Sequence, residues 1–171
     1  MQVGIVNIGI SPHTETNGYR AGLFIQTLSQ LFPGLQFTIN HITDDYAETT
    51  PKRDQGLYVD CDYKKILDDS GLTPKLQDNQ IQLILLYGDA SCHFMEFVTH
   101  GQDNQTINGK FGQHWGFFDL PITPQRYTIL GFNTERTLAQ DLHALGHAIE
   151  STLIQYTPGA FEAFCGNLDF Y

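Results

Sequence analysis

The segment HALGHAIE, from His143 to Glu150, carries two imidazoles four residues apart. On an α-helix that spacing puts both side chains on one face about 6 Å apart, which suits two ligands of a tetrahedral zinc. If the helix also includes Arg136 and Glu150, a turn of about 100° per residue brings all four groups onto one stripe. Glu150 then lies roughly 10 Å along the axis from His143, too far for the same ion. Its roles would be to hydrogen-bond His147 or to act as an acid or base at the cleft edge. Arg136 would orient a carboxylate or carbonyl. A third ligand must come from elsewhere: His93, Glu96, His114 or Asp169 are the candidates, with His114 and Asp169 preferred. The same spacing also occurs on solvent-facing helices whose histidines only hydrogen-bond, and the motif alone does not separate the two.

The helix under these residues is expected to start with Asn133 or Thr134 as its cap and to run to about Gln155, before Thr157-Pro158-Gly159. Leu138, Leu142, Leu145, Ile149 and Leu153 form one stripe, read as the core side, with the histidines more than about 100° away. Ala139 and Gly146 fall between the stripes, small enough for a neighbour to come close.

Upstream, residues 2–10 read as a strand. A helix with Ala21, Leu23, Phe24, Leu28, Leu31 and Phe32 at helical spacing follows from about Tyr19 and stops at Pro33-Gly34. LQFTINHIT alternates Leu35, Phe37, Ile39 and His41 with polar residues, a half-buried strand that completes a βαβ-like unit. Asp44 to Asp54 reads as loop, Leu57–Val59 as a short strand, and the next stretch as helical turns ending at Gly71. Ile81–Gly88 is the clearest buried strand, and Arg126–Phe132 another. Between them lies a long connection rich in Gly, Asn, His and aromatics, of the kind that carries function. No repeat, linker or low-complexity tract appears, so residues 1–171 are expected to form one α/β (α+β) domain.

The 171 residues suffice for a real core, and a mean hydropathy of -0.23 with 41% hydrophobic residues describes a folded, soluble chain. A net charge of -10, with nine scattered Lys and Arg, excludes the basic face a nucleic-acid binder needs. A basic protein partner remains electrostatically compatible. No apolar run reaches the length of a membrane span, and the N-terminus lacks the charge pattern of a signal peptide. Three widely spaced cysteines do not form a disulfide framework. The lean is cytoplasmic, though a secreted mature chain would look the same.

The order strand, helix, strand, further strands and then a helix with histidines four apart resembles the zincin-like metallopeptidases. The resemblance implies a mixed sheet followed by an active-site helix, with H-E-x-x-H binding zinc through its histidines and activating water through its glutamate. His143 and His147 match the ligand positions, and Gly146 stands where many such enzymes have glycine. Ala144 occupies the glutamate position, and the downstream third ligand of the common subfamilies is not apparent. The blocks GFNTER, GHAIES and CGN also resemble uncharacterised bacterial proteins.

Cys92-His93 lacks the context of a thiol nucleophile, and GISPHTETNG lacks the spacing of a phosphate loop. Trp115, Phe117 and Phe118 suit a loop anchor or a ligand platform. The expected function is a zinc-dependent, peptidase-like hydrolase acting on a peptide or small molecule, with Glu150, Glu96 and Arg136 around the metal. The alternatives are a catalytically inactive zincin-like binding module or a small acidic, immunity-type interaction protein.

Overall fold

The computed structural model describes residues 1–8, 17–46, 52–54, 59–61, 63–88, 97–100, 106–108, 120–133 and 137–156. In chain order the elements are β1 (Gln2–Ile8), α1 (Asn17–Leu31), β2 (Thr38–Tyr46), β3 (Lys52–Asp54), β4 (Val59–Cys61), α2 (Tyr63–Asp69) and α3 (Leu72–Gln77). They continue as β5 (Leu83–Gly88), β6 (Phe97–His100), β7 (Thr106–Asn108), β8 (Tyr127–Asn133) and α4 (Leu138–Tyr156).

The main sheet has the order β2-β1-β5-β8-β6-β7 among the described residues. Its first four strands are mutually parallel, whereas β6 runs antiparallel to β8 and β7 antiparallel to β6. β3 and β4 form a separate antiparallel ribbon. The fold is therefore mixed α/β, as the sequence implies. β5 is buried along its whole length, the pattern expected of a central parallel strand covered on both faces.

Alternation along the strands supplies two cores. Val3, Ile5, Leu83, Leu85, Leu130 and Phe132 meet Phe24 and Leu28 of α1 and Ala144 and Ala148 of α4. On the other face Val6, Ile84, Leu86 and Ile129 meet Ile66 and Leu67 of α2 and Leu72 and Leu76 of α3. Gly4 belongs to this second contact: a β-carbon there would lie 2.8 Å from Leu72 Cδ2 and 3.2 Å from Ile81 Cδ1. Helices on both faces of an open sheet, with the order turning back at β1, make a doubly wound arrangement.

Local chemistry explains most of the boundaries. α1 ends where Pro33 cannot continue it, with Leu35 N donating to Phe32 O at 2.9 Å across the turn. Gly71, at φ 74°, is left-handed and separates α2 from α3. α3 escapes sequence reading because six residues are too few to display a period.

β2 departs from expectation at both ends. It begins at Thr38 rather than Leu35 and runs through Asp44, Asp45 and Tyr46, where the polar composition reads as loop. Leu35, Ile39 and Ile42 are exposed. Register irregularities opposite Val3/Gly4 and Val6/Ile8 break the strict alternation from which a buried face was inferred. Backbone pairing with β1, not side-chain burial, holds this edge strand. Among the described residues no helix is long and apolar enough to cross a membrane.

Candidate functional site

α4 starts later than its sequence suggests. Asn133 is the last residue of β8, and Thr137 caps the helix. Gln140 N donates to Thr137 Oγ1 at 3.3 Å, while Thr137 N donates to Gln140 Oε1 at 2.7 Å. This is a capping box, T-x-x-Q, satisfying two amide donors reciprocally. Arg136, expected on the histidine stripe, lies outside the described residues.

The helix also rests on a different face. Its most buried positions are Asp141 (0% exposed), Ala144 (0%) and Ala148 (3%), one and then another turn apart. The leucine stripe is a shoulder: Leu138, Leu142 and Leu145 are partly buried against the core, and Ile149 is exposed. Leu145 and Ile149 line a cleft of about 290 Å³ with Leu28, Phe32, Leu35 and Phe37, between α4 and α1. Small residues at 144 and 148 let the α4 backbone approach the sheet closely, and the leucines then pack sideways towards α1. Gly146, expected to admit a neighbour, is exposed with nothing near it, and Ala139 is exposed too.

His143 and His147 occupy the opposite shoulder, well over 100° from the Leu145–Ile149 side by helical rotation. His143 is exposed and His147 half-buried. Their Nε2 atoms are 2.8 Å apart, and the rings meet edge to face with centroids 4.3 Å apart. In that contact one imidazole donates and the other accepts, the roles being set by the tautomer.

The geometry can be tested against a metal. Two nitrogens bound at 2.0–2.1 Å in a tetrahedron lie about 3.3 Å apart. The pair would have to open by about half an ångström, within reach of side-chain rotation on an exposed helix face. The two Nε2 atoms already stand within hydrogen-bonding distance, so their spacing admits two ligands of one ion. No group of three or more His, Cys, Asp or Glu able to hold an ion occurs among the described residues. His93, Glu96, His114 and Asp169 all lie outside them. Glu150 belongs to α4, and its side chain lies outside the described set.

Ala144 changes the meaning of the missing glutamate. The residue that directly follows the first histidine points into the sheet, fully buried. A carboxylate there would be trapped in the core rather than presented beside a metal. The H-A-x-x-H pattern is thus a consequence of how this helix docks.

The structure adds polar residues that sequence reading passed over. Asn7 (3% exposed), Tyr87 and Asp141 are all buried on the α1/α4 side. The available signal was Asn7, which interrupts the apolar run of β1. Elsewhere, Tyr127 donates from its hydroxyl to Pro121 O at 3.0 Å, and burial raises its phenol well above the ordinary value of 10.0. No protein-family model matches this sequence, and no curated protein or solved structure matches it.

Proposed function

We propose that this protein is a metal-dependent hydrolase, peptidase-like in its substrate, with His143 and His147 as two ligands of a zinc ion. The observation that carries the reading is the convergence of the two Nε2 atoms at 2.8 Å on an accessible helix shoulder. Zinc held there would supply Lewis acidity towards a substrate carbonyl. The chain's own residues supply the remainder. The capping box fixes the start of α4, and burial of Ala144 and Ala148 fixes its rotation, so the imidazoles are presented in a set direction. The general base is Glu150, three residues beyond His147 in α4, or Glu96, one residue before β6, a strand that α4 packs against. Asp169 and His114 are the favoured third ligands. Kinship with the zincins rests on this helix.

A catalytically silent metal-binding relative is the second reading, favoured by the buried Ala144, which removes the base from its usual position. Calorimetric zinc titration and metal analysis of untagged, full-length protein test both readings. Near-stoichiometric zinc is expected, with at least a tenfold loss of affinity in His143→Ala/His147→Ala. Unaltered zinc binding in that variant, or none in the wild type, would sink both. Glu150→Gln and Glu96→Gln then separate the two: in a hydrolase, one of them lowers peptide cleavage by about a hundredfold or more while zinc is retained.

A further inference from the structure

The cleft between α1 and α4 lies over the amino ends of β5 and β8. Leu83 and Thr128 form its floor, with Leu28 and Phe32 of the end of α1 on one wall and Leu145 and Ile149 of α4 on the other. Among the described residues no acidic, basic or histidine side chain lines it. Its two polar side chains are engaged within the chain. Gln82 accepts from Gln2 N through Oε1 at 2.8 Å and donates from Nε2 to Asn79 O at 3.0 Å, and Thr128 Oγ1 pairs with Thr99 Oγ1 at 2.9 Å. Water in such a space finds few partners, so an apolar occupant displaces it favourably.

The rim is apolar as well. Met1, Phe32, Leu35 and Ile149 are four of the eight large apolar side chains exposed among the described residues, and all four line this cleft. Scattered apolar exposure is ordinary, whereas its concentration around one concave surface marks a binding site.

Size decides what fills it. Cavities of about 150 Å³ with similar walls take up benzene. At about 290 Å³ the cleft has room for a larger apolar body, a chain of roughly ten carbons. One turn of an α-helix, about 10 Å across and about 5.4 Å long, needs more space than that, so a partner helix does not enter. A second copy would present the same concave face, and two hollows facing each other stay unfilled.

We infer that the cleft binds a neutral, lipid-like molecule through its alkyl chain, with the head group left in solvent. A chain of net charge -10, with no described cationic side chain in the cleft, disfavours a carboxylate head. The site is separate from the histidine pair, which occupies the other flank of α4.

The test is calorimetric titration of the full chain with 1-hexanol, 1-octanol and 1-decanol, with octanoate and triethylene glycol as charged and polar controls. One alcohol per chain is expected, its affinity rising roughly fourfold per added methylene, with octanoate at least about tenfold weaker than octanol and no glycol binding. Leu35→Gln and Ile149→Gln, both at exposed positions that the fold tolerates, should each weaken octanol about fivefold. His143→Ala/His147→Ala should bind octanol as the wild type does, so failure of the zinc reading leaves this result intact. Absence of saturable binding, affinity independent of chain length, octanoate binding as tightly as octanol, or unchanged affinity in both glutamine variants would each overturn the proposal. So would sedimentation showing a dimer that octanol disperses, because the occupant would then be a second copy.

Discussion

At residue 144 a single methyl group separates two readings of the histidine motif. In the peptidase pattern this position carries the base, yet here it is fully buried beneath α4. Ala144→Glu is therefore expected to destabilise the fold by about 3 kcal/mol or more, through an uncompensated buried charge and overpacking, without creating activity. Urea unfolding beside a peptide-cleavage assay checks this; a stable and more active variant would show that position 144 opens onto the site. Tyr127 makes a second residue-level prediction. Its phenol is held protonated by burial, well above the 10.0 of an exposed tyrosine. The unfolded chain releases that proton near pH 10 while the native chain keeps it, so the unfolded state binds fewer protons and stability falls as pH rises further. Below that pH the contribution is fully present. Tyr127→Phe should cost about 1 kcal/mol at neutral pH, from the lost bond to Pro121 O, and should flatten the alkaline decline. Denaturant melts of both proteins at pH 8 to 11 would show it.

Among the elements, α4 is the one whose placement positions the histidine pair. Its end and histidine spacing were legible, because apolar residues recur at helical intervals and Thr157-Pro158 cannot extend a helix. Its start was misread because Asn133 is a good cap residue by type, whereas pairing with Gly88 commits it to β8. The T-x-x-Q box four residues later was readable, and Thr137→Ala should lower stability by about 1 kcal/mol in chemical denaturation. Because the cap sits a turn and a half before His143, zinc affinity should change little. A large loss would mean that the cap also sets the direction of the imidazoles. The core face was misassigned for a different reason. Periodicity ranks large apolar side chains first, but a helix lying close on a sheet places its smallest residues at the contact. β2 shows the corresponding limit for strands: alternation predicts a face only while the register is unbroken.

For the whole molecule, the doubly wound order β2-β1-β5-β8 puts the start of α4 at the carboxyl edge, beside the layer that contains Asn7 and Tyr87. The histidine shoulder and the apolar cleft then fall on opposite flanks of one helix. That arrangement keeps the histidine pair and the apolar groove apart on one helix. The amino-acid sequence by itself determined what depends on neighbours along the chain. This covers the strand at Ile81–Gly88, the βαβ opening, the stop at Pro33-Gly34, the long last helix and the spacing of His143 and His147. It also fixed the net charge of -10, since charge is a sum over residues. Tertiary structure alone decided what depends on partners distant in sequence: which side of α4 meets the sheet, the burial of Ala144 and Asp141, and the strand order. Those follow from how helices dock across strands, and one-dimensional periodicity carries no record of the element waiting on the other side.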